Sequence, residues 1–592
     1  MRRGLRLVAI LPLIALFAVA CGSSSTGALR LSGGKATFAE PPNTTPNYIF
    51  PLTSGGFFSV TNLSTFQYLM YRPLYWFGTN GQVKLNTSLS LAEEPVYSSD
   101  GKTVTIKLKH WKWSDGTPIT SRDVEFWMHL LRANTSSWAA YVPGGFPDNV
   151  INESYPDAQT AIFTLDKQYG NYFYTYNELS QITPLPQHLW DKKSDSSAVG
   201  DYDRNSKDDA IAVYKYLDGQ AKSVGTYDAN PLWQVVSGPW KLKHITTDGF
   251  VAMVPNPKYS GPVKPTLAEF DMLPYTTDVA EFNVVRSGGV DYGYIQPKDA
   301  DQRASLTNYN FTPWIGWSIT YFQINFNNTE HGAIYKQLYF RQAMQHLIDQ
   351  DGWIKNIFKG YAYPDYGPVP IKPTNTFADS FEQNNPYPFD VAAAKKLLTD
   401  NGWTVNAGGV STCTNPGSGS GQCGAGIAQG TKASFKLEYA SGTAVVKQEM
   451  EVLKSDYSKV GIEINLSEAP FNTVITDAFG GSTASDIDNW GGGWIFAPDY
   501  YPTGDEIFST GAGSNGGAYS NSTNDSNTVT TTTSNDPQAL HTYEDFLAKD
   551  LPVIWIPVAD YQLTMTKKTL HGWDPQDPLL QIYPENWYFT AS

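Results

Sequence analysis

Asp486 and Asp488 are the pair of acids in this chain whose spacing suits acid–base chemistry. Two residues apart on an extended segment, their carboxylates share a face, as a glycoside-cleaving pair would need. Paired acids near turns are common, however, and no other residue supports that reading. The eight histidines (His110, His129, His188, His244, His331, His346, His541 and His571) are scattered, with no H-E-x-x-H or comparable ligand spacing. Gly101-Lys102-Thr103 imitates the end of a phosphate loop, but Val96 stands where the first glycine belongs. No G-x-S-x-G nucleophile elbow occurs. No catalytic residue, metal site or cofactor is assigned.

Composition narrows the remaining classes. A chain of 592 residues is long enough for two or more lobes, each with its own core. Hydrophobic content of 41% with 17% charged residues reads as globular. The net charge of −15 argues against nucleic acid as a partner, because phosphate binding needs concentrated Lys and Arg. It agrees with a soluble surface and a mild bias toward cationic ligands. Seventeen Trp, 36 Tyr and 29 Phe supply rigid contact area, in a core or along a cleft.

The first residues read as an export signal. Arg2, Arg3 and Arg6 precede an apolar run over 7–20, too short to cross a bilayer core of about 30 Å as a helix. Ala18-Val19-Ala20-Cys21-Gly22-Ser23 resembles a bacterial lipobox, with Ala18 where Leu is usual. The resemblance implies cleavage before Cys21, lipid on its sulfur and a membrane anchor, followed by a flexible tether. The alternative is ordinary cleavage after Ala20. Cys413 and Cys423 flank a Gly/Ser-rich loop; outside the cytoplasm such a pair is expected to form a disulfide.

The positioning elements follow from pattern. Asp100-Gly101 turns into the alternating strand 104–109, and Thr120 with Asp123 has capping-box spacing before a helix carrying Val124, Trp127, Met128 and Leu131. Residues 319–326 read as a strand, and Phe340, Ala343, Met344, Leu347 and Ile348 as one face of a helix. Asp390 caps a helix that Gly402 stops. A strand with Phe435, Leu437 and Tyr439 precedes a helix with Val446, Met450, Leu453 and Tyr457. A strand with Ile462, Ile464 and Leu466 completes a β-α-β unit and implies some parallel sheet. Residues 521–535 read as a loop, Asp536-Pro537 as a helix start and 551–558 as one apolar strand.

Several of these segments, in order, resemble the family 5 extracellular solute-binding proteins, the peptide/nickel group that serves ABC importers. They are Asp100-Gly101-Lys102-Thr103 with Trp113-Ser114-Asp115-Gly116-Thr117-Pro118, then Ser237-Gly238-Pro239-Trp240-Lys241-Leu242 and Asn256-Pro257-Lys258-Tyr259. Gly289-Val290-Asp291, Phe340-Arg341-Gln342-Ala343, the helix 390–402 and Leu551-Pro552-Val553-Ile554 continue the series. The family's G-x-G-P-Y-x-L stretch is altered here, with Ser237 for Thr and Trp240 for Tyr.

The resemblance implies an α/β, two-lobed periplasmic-binding-protein type II (cluster C) fold with a hinge and an extra inserted subdomain. On that pattern residues 1–20 are a signal peptide and 21–36 a lipid-anchored tether. Residues 37–73, 236–316 and 556–592 form lobe I, 74–235 its inserted subdomain, and 317–555 lobe II. The implied function is capture of a small solute, a di- or oligopeptide first among them, by hinge closure and delivery to permease subunits. No chemistry, metal or cofactor is implied, and a monomer is expected on the outer face of the cytoplasmic membrane or in the periplasm. In peptide-binding members an Asp after a Trp-rich strand end pairs with the ligand's amino group, which here points to Asp499; its other role would be to cap the following turn. Trp490 and Trp494 would supply wall or core, and Gly492 and Gly493 room for backbone approach. Ser59, Asn62 and Phe66 are expected on the facing lobe. A surface hydrolase of peptides or sugars, and a signalling lipoprotein on the same fold, remain as alternatives.

Overall fold

The computed structural model describes residues 30–378 and 384–591. The expected export signal, Cys21 and the first part of the tether therefore lie outside the described residues. The rest of the expected tether is not loose. Arg30–Leu31 pairs antiparallel with Tyr588–Thr590, and Lys35–Ala39 enters the largest sheet. Backbone partners at the far end of the chain hold both segments.

That sheet has seven strands, in the order Tyr309–Trp314, Gln562–Lys567, Tyr292–Ile295, Lys35–Ala39, Glu269–Leu273, Val251–Pro255 and Trp240–Ile245. Lys35–Ala39 runs parallel to both of its neighbours, and the other pairings are antiparallel. A second sheet is built from Glu463–Ala469, Ser434–Ala440, Ile487–Asn489, Ser318–Ile324 and Gly493–Ile495, with Ile554–Trp555 also paired to Ser318–Ile324. Within it Ser434–Ala440, the helix Ala444–Ser458 and Glu463–Ala469 make the β-α-β unit, with Leu437 opposite Leu466 in parallel register. The chain passes between the sheets twice: from Trp314 to Ser318, and from Trp555 to Gln562. Each lobe is thus one sheet with its helices, joined by two short crossings.

A third, four-stranded antiparallel sheet (Val96–Tyr97, Thr103–Lys107, Thr160–Leu165, Val150–Asp157) lies between the first lobe's early and middle segments in the sequence. The helix Ser121–Ala133 packs on it and begins with the expected cap: the Thr120 amide donates to Asp123 Oδ2 at 2.8 Å. Such caps contribute about 1 kcal/mol. Its buried face carries Val124, Trp127, Met128 and Leu131. No helix among the described residues is long and apolar enough to cross a membrane.

Two segments depart from the sequence reading. Residues 521–535 are not a loop, because Ser522–Thr533 is helical. Asn521 Oδ1 caps it by accepting from Thr523 N at 2.9 Å, and Thr528, Thr531 and Thr532 are buried where it packs along Pro537–Asp550. Tertiary packing outweighs the poor helix propensity of a Thr-rich run. The expected single strand over 551–558 is two short ones, Ile554–Trp555 and Val558–Ala559, interrupted at Pro557, which has no amide hydrogen to donate.

Candidate ligand cleft

Between the two large sheets lies a cavity of about 310 Å³. One wall comes from the first lobe: Pro41 and Thr44 after the strand Lys35–Ala39, Tyr294 to Pro297 at the end of its neighbour, and residues 58–61, 63 and 64. The opposite wall is second-lobe: the start of the helix Ala444–Ser458, the helix Phe471–Phe479, and residues 490–495. Ser318, Ile319 and Thr320, where one crossing enters its strand, and Pro557 with residues 559–562 of the other crossing form the floor. A solute in this space touches both lobes and both connections between them.

The Trp490–Trp494 turn shapes the second-lobe wall. Trp490 folds back so that its indole N–H donates to Gly493 O at 3.1 Å, and it packs edge-on against Tyr321 at 5.7 Å. Gly493 presses on the neighbouring strand so closely that a Cβ there would lie 2.2 Å from Ile319 O. A Cβ on Gly492 would meet nothing nearer than the Trp490 ring at 3.9 Å, so its backbone is open to the cavity. Trp494 reaches across the cleft and stacks on Phe58, with centroids 5.4 Å apart and an interplanar angle of 19°. The lobes therefore meet through an aromatic pair at one edge of the cavity.

The expected site residues divide into two groups. Trp490, Gly492, Gly493, Trp494 and Ser59 all line the cavity. Ser59 also starts a short helix, its Oγ accepting from Asn62 N at 3.2 Å. Asn62, Phe66 and Asp499 lie behind the lining. Asn62 accepts from Asn47 N and Tyr48 N, and donates to Asn47 Oδ1 and Phe57 O, so its amide is spent on fixing the loop. Phe66 is fully buried in the core. Asp499 is 2% exposed and accepts from the Trp494 indole N–H at 2.8 Å. Burial, and then the neighbouring Asp505 carboxyl, push its pKa well above the usual carboxylate range. Asp505 and Glu506 are raised beside it, also chiefly by burial.

The carboxylates considered for catalysis serve the fold. Asp486 accepts from Tyr335 Oη at 2.7 Å and from Lys436 N at 3.0 Å, and pairs with His331 Nδ1 at 2.9 Å. Asp488 is bonded by Ser485, and burial raises it to about 7. Neither lines the cavity. Cys413 and Cys423 are joined as a disulfide away from the cleft.

Among the lining residues that the sequence reading did not name, one carries a buried acid. Glu449 projects from the helix Ala444–Ser458, is 5% exposed and lines the cavity. Burial alone pushes its carboxyl up to about 8. Its signal was legible: three residues after Val446 and four before Leu453, an acid interrupts an apolar helical stripe.

Comparison with known proteins gives one consistent picture. A sequence profile described as bacterial extracellular solute-binding proteins, family 5 Middle, matches residues 86–507. Protein XP55 of Streptomyces lividans is 24% identical over 423 residues, 68% of this chain and 65% of that protein. A putative ABC transporter peptide-binding protein of Brucella ovis is 24% identical over 319 residues, 53% of this chain and 51% of its own length. These matches thus span half to two thirds of the relatives. In three dimensions the chain is similar to the oligopeptide-binding protein AppA of Bacillus subtilis, solved with a nonapeptide. The TM-score is 0.75 at 18% identity, covering 95% of this chain and all of that one.

Proposed function

The chain belongs to the family 5 bacterial extracellular solute-binding proteins, and from that membership we propose that it captures a short peptide by closure of its two lobes and hands it, intact, to the permease of an ABC importer. The observation that carries this reading is the cavity whose walls come from both lobes and whose floor is their two connections. A ligand that fills it stabilises the closed arrangement over any open one, which is what a permease can recognise. The peptide preference draws support from the Brucella relative's name and from the nonapeptide held by AppA.

On this reading lobe I comprises 37–73, 236–316 and 556–592, with 74–235 as its inserted subdomain, and lobe II is 317–555. Trp490, Gly492, Gly493, Trp494 and Ser59 contact the ligand. Asp499 acts one step back, holding the Trp494 ring, while Asn62 and Phe66 hold the facing wall. Export with lipid on Cys21 would tether the protein beside its permease, and Cys21→Ala should release it from membranes.

Native mass spectrometry of protein purified without denaturation should reveal a bound peptide. Titration calorimetry with di- and tripeptides should show one-to-one binding, with chromatography recovering the peptide whole. A cleaved peptide, or no peptide binding at all, overturns the proposal.

A further inference from the structure

We propose that this cleft selects ligands bearing a positive charge and that Glu449 receives that charge, an inference that rests on the reading of the cavity as a solute site. Glu449 shares the buried face of its helix with Val445, Val446, Met450 and Leu453, where an apolar residue would pack as well. Among the described residues its carboxylate has no hydrogen-bond donor or cation within reach, and burial is the sole influence on its titration. A mostly buried carboxylate with no partner in the protein is costly. The fold makes no use of this one, and its surroundings leave it facing the cavity.

The rest of the lining has the same sign. Among the described residues no Lys, Arg or His lines the cavity. The other acid there, Asp560, is half-buried and has the Lys372 charge near it. Tyr294, Tyr361 and Tyr561 are the remaining titratable groups among the described lining residues. A ligand ammonium or guanidinium would supply Glu449 with its missing partner, in a setting with little water to screen the pair. A ligand carboxylate placed near Glu449 would keep it protonated and find no compensating cation among the described lining residues.

The probes are three tripeptides of one length: Ala-Ala-Ala, N-acetyl-Ala-Ala-Ala amide and Lys-Ala-Ala, each titrated calorimetrically into the full-length protein. The charged-amine probes should bind at least tenfold more tightly than the acetylated amide. In Glu449→Gln that ratio should collapse toward one, whereas Glu449→Asp, which keeps the charge, should preserve part of it and serves as the reference if the Gln variant folds poorly. Charge-independent binding, or a preference that survives in Glu449→Gln, overturns the inference and leaves peptide capture standing. If no tripeptide binds, peptide capture fails, and arginine and spermidine become the probes. Their binding to the natural protein and loss in Glu449→Gln would uphold the charge assignment alone, and no binding would overturn both.

Discussion

Trp494 depends on two unlike contacts, a ring stacked on Phe58 across the cleft and an N–H given to Asp499 behind it. With its carboxyl raised by burial, Asp499 serves as an acceptor for that N–H more than as a free anion. Asp499→Asn retains an acceptor oxygen and should change peptide affinity less than about threefold. Asp499→Leu leaves the indole N–H buried and unpaired, a cost of about 1–3 kcal/mol, and should lower the melting temperature while weakening binding of every peptide. Calorimetry decides: a large loss in Asp499→Asn, confined to peptides with a free amino group, would place Asp499 against the ligand instead. Other buried acids set the pH response of the fold. Burial raises Glu40 and Glu281 to about 8 and Asp577 to about 7. In the unfolded chain these groups ionise near pH 4, whereas in the fold they hold their protons until about pH 7 to 8. Stability is therefore greatest below pH 4 to 5 as far as these groups act, and falls as pH rises through that window. Asp203, held low against its burial by Arg122 and His129, titrates below the window. The melting temperature should be higher at pH 5 than at pH 8, and a flat or rising profile would contradict this account.

Elements that carry their own signals were legible before any coordinates. Asp390 accepts from Ala393 N at 2.9 Å at the start of the helix Val391–Asp400, and Gly402 beyond its end has φ +77°, as local stop chemistry requires. The strand, helix and strand over 434–469 likewise announce themselves by a change of hydrophobic period. The helix Ser522–Thr533 could not be read this way, because its Thr-rich face becomes helical only by burial against another helix. The same limit applied in the cleft. The turn 490–494 was found, but whether Asp499 stands on the wall or behind it depends on how Trp494 folds, and spacing along the chain carries no trace of that. The Cys413–Cys423 bridge is an element whose contribution can be isolated. It closes a short loop, with Tyr339 Oη donating to Cys423 O at 2.6 Å and Trp403 paired opposite Cys413. Losing so short a closed loop should cost about 3 kcal/mol on the chain-entropy estimate. Since neither cysteine lines the cavity, the double Cys→Ala variant should unfold at lower denaturant concentration yet bind peptide as before. Loss of binding in the still-folded variant would mean the loop reaches the site.

Across the whole molecule, the same contacts that shut the cleft determine how much of the ligand's binding energy remains as affinity. The lobes touch at its mouth through a few weak bonds: Asn43 Nδ2 to Ser441 O at 3.3 Å, Asp278 N to Gly442 O at 3.2 Å, and Ala444 N to Asp278 Oδ2 at 3.3 Å. Long, partly exposed bonds of this kind contribute little each. Gly442 sits at a tight approach there. It has φ +98°, and a Cβ there would lie 2.6 Å from Asn43 Nδ2 and 2.9 Å from Thr276 O on the opposite lobe. Strain from the positive φ acts on open and closed forms alike, whereas the clash across the mouth exists only when the lobes meet. Gly442→Ala should therefore raise Kd by one common factor for all peptides, because affinity scales with the population able to close. That uniform loss differs from the effect at Glu449, where the loss should follow ligand charge. Small-angle scattering provides the second reading: the natural protein should contract on adding saturating peptide, and Gly442→Ala should contract less at the same concentration. Equal contraction with unchanged affinity would show that the lobes do not need this contact to enclose their ligand.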